Sequence, residues 1–423
     1  MKILWVKAGK LLPVDTGGKI RSYNLLRQLA ARHEVVLLSY YGGARDETYE
    51  AEIKRHLPGA ETIYTAAPDT TTLERSMHYV RCLPARAPFA VSKFTSPEVA
   101  RRVAGWMQEG RFDTAVCDFL AASLNFPRTL ATPSVLFQHN VESILWSRQA
   151  EHEPNLIKRL VFKIEAAKML GYERATVGRF QHVIAVSDFD REQMSSMTDP
   201  ARISVVPTGV DLKLYKNSGG DEGASDETRA TKNPLVVFLG SMDWEANVDG
   251  VDYFCREIWP QVRAAVPDAR FRIVGRNPRP RVLRLASDSV EVTGTVPSVI
   301  EHLREASVFV VPLRVGGGTR LKIFEAMATG KAVVSTSIGA EGLDVHHGRD
   351  ILLADDAATF AASVVKVLQD ADERRRLERA AAELAARYDW PVIAERFEEV
   401  LTRVASLTAA PRELATVPAS VNA

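Results

Sequence analysis

The amino-acid sequence predicts an α/β protein made of two doubly wound, Rossmann-like domains. Three observations carry this prediction. Short, continuously apolar runs recur along the 423 residues with amphipathic stretches between them. Strands apolar on both faces belong to a parallel sheet covered by helices on both sides. The alternation breaks once, at residues 216–233, "KNSGGDEGASDETRATKN", which is polar, rich in Gly, Ser and acids, and without apolar periodicity. It then restarts, and a chain of this length with 46% hydrophobic residues can bury two cores.

The elements follow in order. "KILWV" reads as the first strand, "GGKIRSYNLLRQLAARH" as a glycine loop entering an amphipathic helix, and "EVVLLSYY" as the next strand. "TAVCDF", "SVLFQ" and "HVIAVS" repeat the apolar form, with helical sequence between them. Beyond the break come "PLVVFLG", "ARFRIVG", "VEVTG", "SVFVVPL" and "KAVVSTS". The expected division is a first domain over 1–215, a flexible linker over 216–233 and a second domain over 234–385. A C-terminal helix over 386–408 is expected to pack back on the first domain, and 409–423 to be a disordered tail. Ligands of open parallel sheets collect beyond the carboxyl ends of the strands, so a central cleft between the two sheets is the expected site.

Composition narrows the function. Lys plus Arg number 54 against 53 Asp plus Glu, a net charge of +1, which argues against phosphate-driven nucleic-acid binding. The cysteines Cys82, Cys117 and Cys255 show no metal-ligand or disulfide spacing, which fits a reducing cytosol and no metal site. "MKILWVKAGK" is interrupted by Lys7 and Lys10, as a strand would be and a signal peptide would not. No run has the length of a membrane span, so a cytoplasmic location is expected.

The stretch "VGGGTRLKIFEAMATGKAVVST", residues 315–336, places a glycine loop between the strand "SVFVVPL" and the helix "RLKIFEAMAT", which Gly330 should terminate. Bare backbone at a helix start, with Thr319, Arg320 and Lys322 beside it, suits a bound phosphate. Lys322 and Glu325 share a helix face, one for an anion and one for a diol. A tight turn carrying solvated cations accounts for the loop equally well. It matches neither GxxxxGK[ST] nor GxGxxG, so neither an ATPase nor a dinucleotide site is indicated.

Taken together in colinear order, "DTGGKIRSYNLLRQLAARHEV", "VVPTGVD" and "FEAMATGKAVVST" resemble glycosyltransferase family 4, the retaining GT-B enzymes. "PVDTGGKIRSYNLLRQLA", "GSMDWEANVDGVDYF" and "ARFRIVGRNP" are similar to a bacterial exopolysaccharide branch of that family, the PEP-CTERM system-associated sugar transferases. The resemblance implies a GT-B fold and transfer of a sugar, without cofactor or required metal, from a nucleotide-diphosphate sugar to a hydroxyl. The acceptor it implies is a glycan or lipid-linked intermediate, with a possible peripheral contact at the inner membrane face.

The resemblance implies roles residue by residue. Glu325 takes the ribose of the donor. The earlier glutamate of the family's E-x7-E pair falls at 325 − 8 = 317, which is Gly317, so the amides of Gly316, Gly317, Gly318 and Thr319 are the candidates to hold the sugar. The family's diphosphate-binding Arg and Lys are replaced near Ser241 and Asn247, after Gly240, and Arg320, Lys322 and Arg276 are the candidate substitutes. Gly17 and Gly18 match the first-strand glycine loop that binds the donor and faces its phosphate and the acceptor, with Lys19 and Arg21 beside them for an anionic acceptor or the diphosphate. In "FQHNVES", His139 is placed to meet the sugar or the acceptor hydroxyl, or to be structural; Glu142 reads as a base or as a helix cap. Asp211 and the "DFD" at 188–190 read as helix-start residues. "LIKRLVFKIEAAKMLGYERATVGRF" reads as an amphipathic core helix first and a membrane-surface contact second. A GT-B sugar-nucleotide 2-epimerase and a catalytically degenerate nucleotide- or carbohydrate-binding protein are the alternatives.

Overall fold

The structure is a computed structural model that describes residues 1–65, 77, 79, 83–217, 234–315 and 321–407. Gly316, Gly317, Gly318, Thr319 and Arg320 lie outside the described residues, as do 218–233 of the expected linker and the whole 409–423 tail. The described chain divides into two units. One comprises Met1–Ala185, Gln193–Ser204 and Glu395–Ala423; the other comprises Val186–Glu192 and Val205–Ala394.

The first unit is built on seven strands: β1 Lys2–Ala8, β2 Glu34–Tyr41, β3 Ala60–Tyr64, β4 Thr114–Asp118, β5 Ser134–Phe137, β6 His182–Ala185 and β7 Ile203–Val205. They lie in the order β3-β2-β1-β4-β5-β6-β7. The pairings of β1 with β2 and β4 are parallel, with Lys7 opposite Ser39 on one side and Asp118 on the other. Every residue of β4, β5 and β6 is buried, as continuous apolar runs require of strands covered on both faces. Trp5 stacks on Phe397 of the last helix, Trp390–Ser406, at 5.5 Å between ring centroids, and Phe137 meets Phe397 edge-on at 5.0 Å.

The second unit holds six parallel strands: β8 Leu235–Leu239, β9 Arg270–Val274, β10 Val290–Gly294, β11 Val308–Val311, β12 Val333–Ser335 and β13 Leu352–Leu353. Their order is β10-β9-β8-β11-β12-β13. Its core is aromatic, with Phe254 4.4 Å from Phe271 and 6.0 Å from Phe360. The helix Leu321–Ala328 buries Ile323, Phe324, Ala326, Met327 and Ala328 and ends at Gly330, whose φ of 68° suits glycine. This unit takes up the helix Leu212–Asn217, so the boundary falls at Val205 rather than after Tyr215. The reason is local: Tyr215 hydrogen-bonds Glu325, and its carbonyl accepts from Arg304 at 3.0 Å.

In both sheets the strand order reverses once, between β1 and β4 and between β8 and β11. These switch points open a crevice beyond the strand ends, because the flanking connections run to opposite faces.

Two smaller readings are settled by capping. Ser187 Oγ accepts from Asp190 N at 3.1 Å and donates to the Asp190 carboxylate, so "DFD" starts the helix Asp188–Ser195. Asp211 accepts from Leu214 N at 2.9 Å. The helix Leu156–Arg179 follows the core reading in its later turns, which bury Ala166, Met169, Thr176 and Val177; in its second turn Phe162 meets Trp146 edge-on at 5.7 Å, and Leu156, Ile157 and Leu160 are exposed.

Candidate active site

At the β1/β4 switch point, Lys7, Asp118 and His139 come together from the ends of three adjacent strands. Asp118 is 1% exposed and accepts from Lys7 Nζ at 3.0 Å and Trp5 Nε1 at 2.9 Å, while His139 Nε2 lies 2.9 Å from its other oxygen. Lys7 Nζ also donates to Ser22 Oγ at 3.1 Å, and Ser22 Oγ to the carbonyl of Gly18 at 2.9 Å. One chain of contacts thus joins the glycine loop to the histidine. Burial alone would raise the Asp118 pKa, but Lys7, His139 and Ser22 outweigh it and hold the carboxyl below its ordinary value. Burial lowers His139 from 6.5 to about 4; Asp118 opposes this, and the charges of Arg21 and Lys7 add to it. The ring is therefore neutral near pH 7. The 2.9 Å approach is not aligned as a hydrogen bond, but a carboxylate beside Nε2 electrostatically favours the tautomer with its proton there and the lone pair on Nδ1.

That lone pair faces Gly18. A Cβ at Gly18 would stand 3.1 Å from His139 Nδ1, so glycine keeps the approach open. Gly17 begins the helix Gly17–Ala30, whose Thr16 N-cap makes no side-chain bond to it. Phe119, between Asp118 and the helical turn Leu120–Asn125, has φ of 75° and donates its amide to Phe137 O at 2.9 Å. A non-glycine residue held there is strained, as is common beside functional groups. Arg21 is buried close enough to depress His139. Lys19 is bound to Asp15 at 3.0 Å and to Pro13 O at 3.1 Å, so its charge is engaged within its own loop.

Glu142 opens the helix Glu142–His152, and its pKa is pushed up to about 7, first by burial and then by Glu173. The cap of that helix is Glu173, from the helix Leu156–Arg179. Its carboxylate accepts from Gln138 Nε2, Glu142 N, Ser143 N and Ser143 Oγ at 2.6–3.1 Å. Sequence reasoning missed Glu173 and Asp118. A carboxylate ending the run "TAVCD" is the one signal that pointed to Asp118.

At the β8/β11 switch point of the second unit, the positions without the family's cations are each joined to a cation from elsewhere. Arg276 Nε donates to Ser241 Oγ at 3.0 Å, and Lys322 Nζ donates to Asn247 Oδ1 at 2.9 Å. Asn247 Nδ2 returns to Ser241 O at 2.9 Å. Lys322 also lies 4.4 Å from the Phe238 ring centroid. Gly240 admits this packing, since a Cβ there would fall 2.7 Å from Asn247 Nδ2. Burial raises the Glu325 carboxyl, while a hydrogen bond from Tyr215 and the charge of Lys322 pull it back down.

The first unit also holds a cavity of about 770 Å³ at the ends of β1, β2 and β3. Lys10, Tyr40, Tyr41, Tyr64, Lys93 and Arg101 line it. Lys10 is paired with Asp46 at 2.7 Å, whereas Lys93 and Arg101 have no carboxylate partner among the described residues.

Two parallel-sheet domains, each with its strand order reversing once, have the architecture of the GT-B fold. The description Glycosyltransferase Family 4 matches residues 16–214, and Glycosyl transferases group 1 matches residues 233–370. The chain belongs to glycosyltransferase family 4. A phosphatidyl-myo-inositol mannosyltransferase of Mycolicibacterium smegmatis is 27% identical over 317 residues, 73% of this chain and 75% of that one. An N,N'-diacetylbacillosaminyl-diphospho-undecaprenol alpha-1,3-N-acetylgalactosaminyltransferase of Campylobacter jejuni is 26% identical over 239 residues, 53% of this chain and 61% of that one. The crystal structure of Anabaena Alr3699/HepE in complex with UDP superposes with a TM-score of 0.64 at 17% identity, covering 95% of this chain and 100% of that one. Enzymes of the family use nucleotide-sugar donors.

Proposed function

We propose that this glycosyltransferase moves a sugar, with retention of configuration and without a required metal, from a nucleotide-diphosphate sugar to a hydroxyl of a phosphate-bearing glycan or lipid-linked acceptor. Cell-surface polysaccharide synthesis is the setting the sequence resemblance implies. The observation that carries the reading is the pair of relocated cations. Arg276 on Ser241 and Lys322 on Asn247 place positive charge at the β8 end, where the family's Arg and Lys would have stood. A departing diphosphate needs such charge fixed in advance, because preorganised electrostatics supplies most of the barrier reduction in group transfer. Arg320 joins them on its sequence position alone.

The remaining roles follow. Glu325, braced by Tyr215, takes the ribose hydroxyls. The Gly316–Thr319 amides take the sugar in place of the missing first glutamate. Neutral His139, with Nδ1 open toward Gly18, accepts a hydrogen bond from a sugar hydroxyl. The cavity of Lys93, Arg101 and three tyrosines, which Glu98 also lines, suits an acceptor that combines sugar rings with a phosphate, because aromatic faces and cations bind the two together. Both relatives named above carry phosphate-bearing acceptors in their names.

The test is a product analysis. Donor sugar should be turned over with an acceptor and should yield a glycoside of the donor's own anomeric configuration by proton NMR. The opposite anomer would overturn retention. Conversion of the donor sugar to its 2-epimer without acceptor would replace the transferase reading with the epimerase.

A further inference from the structure

The loop Gln138–Val141 carries His139 from β5 into the helix Glu142–His152, and one carboxylate from another element holds both of its ends. Glu173, fully buried on the helix Leu156–Arg179, accepts with Oε1 from Gln138 Nε2 at 3.0 Å and from Glu142 N at 2.9 Å. Its Oε2 accepts from Ser143 N at 3.1 Å and from Ser143 Oγ at 2.6 Å. Gln138 stands immediately before His139, and Glu142 and Ser143 follow it within one helical turn.

A helix cap accounts for only part of this arrangement. Helix starts are ordinarily capped by a local Ser, Thr, Asp or Asn, and here the N-cap is Val141, which makes no side-chain bond. The amides of Glu142 and Ser143 need an acceptor, and a cap would end there. Gln138 lies outside the helix, yet its side chain is drawn to the same carboxylate. Taking a carboxylate out of water is costly, the more so with Glu142 as a like charge beside it. The four bonds named above offset that cost, and they join the two ends of the His139 loop at one point.

The ring is packed where the loop delivers it. Its centroid lies 4.6 Å from that of Phe137 and 5.2 Å from that of Phe119, and Nδ1 faces Gly18. The charges that weigh most on the ring are those of Asp118, Arg21 and Lys7. Glu173 therefore acts on His139 through the backbone it holds rather than through its own field.

We infer that Glu173 is a positioning residue, whose carboxylate ties Gln138 to the start of the helix Glu142–His152 and so fixes the His139 ring between Asp118 and Gly18. A displacement of about 1 Å in a group that meets the substrate costs on the order of a hundredfold in rate. That consequence rests on the proposed role of His139 as a sugar contact, whereas the placement of the ring does not.

The experiment is NMR of the full chain carrying ring-15N histidine, with His139 identified by the signal that H139Q loses. Wild-type His139 should titrate at about 4. In E173Q an N–H group replaces one acceptor oxygen, and the titration of His139 should rise by about one pH unit as the ring leaves its buried place. E165Q is the control, because Glu165 is also buried on the same helix but accepts from Phe89 N, at 2.9 Å; the His139 signals should stay in place. Unmoved His139 signals in folded E173Q, or an equal shift in E165Q, overturn the inference. If E173Q does not fold, S143A decides, since it removes one of the four bonds: a smaller shift in the same direction supports the inference, and no shift overturns it. Turnover separates this inference from the role of the ring. With the UDP-, GDP-, ADP- or dTDP-sugar that stabilises wild type, E173Q should lower kcat by about tenfold or more and leave the donor KM within about twofold. A displaced His139 with unchanged kcat would contradict the sugar-contact role and leave the positioning by Glu173 standing.

Discussion

His139 and Glu142 lie three residues apart, yet their environments push them in opposite directions. His139 falls to about 4 because burial disfavours its cation, and Glu142 rises to about 7 because burial and Glu173 disfavour its anion. The signs of their linkage to stability are therefore opposite. The His139 contribution is present above its unfolded value of 6.5 and is lost as pH falls through about 4. The Glu142 contribution is present below its unfolded value of 4.5 and is lost as pH rises through about 7. The stability gap between wild type and H139Q should widen from pH 4 to 6.5 in thermal unfolding, while the gap between wild type and E142Q should narrow from pH 4.5 to 7. Parallel profiles for the two variants would contradict the assigned environments. His139 was legible in sequence from its place after "SVLFQ". Asp118 was not, since its partners Lys7 and Trp5 stand 111 and 113 residues away and only the sheet brings them together.

Elements were read best where both faces are buried. β4, β5, β6, β8, β11 and β12 appear as unbroken apolar runs because helices cover both sides of the sheet. β3, with the sequence AETIY at a sheet edge, and the two-residue β13 carry too little apolar signal to separate from loop. The helix Leu156–Arg179 was recognised as a helix, but its amphipathic pattern could not tell a protein core from another apolar partner. The glycine loop of the first unit was legible through its position between strand and helix, and the structure adds the close approach of Gly18 to His139. Gly18→Ala should place a methyl against His139 Nδ1, lowering kcat/KM by about tenfold or more while moving stability by less than about 1 kcal/mol. Wild-type kcat/KM in that variant would remove the Gly18–His139 approach from the site.

At the scale of the molecule, two sheets of like construction divide the proposed work, the donor groups gathering at the β8/β11 switch point and the acceptor groups at the carboxyl end of the first sheet. The architecture could be read from alternation and a single polar break. The departures from the family pattern could also be read, as Gly317, Ser241 and Asn247. The compensation proposed for them could be read only in part. Lys322 and Arg276 stood out as cations, but their pairing with Asn247 and Ser241 spans 75 and 35 residues and depends on the close approach at Gly240.

The most direct test of the relocated-cation account is nucleotide-sugar binding by thermal shift with UDP-, GDP-, ADP- and dTDP-sugars, in wild type, K322A, R276A and the rescue variants K322A/N247K and R276A/S241R. One donor class should stabilise wild type, each single alanine should weaken its binding by about tenfold, and each rescue should recover most of the loss. Undiminished binding in both single variants, or rescues no better than their parents, would contradict the claim that Lys322 and Arg276 hold the diphosphate in place of the family's own pair.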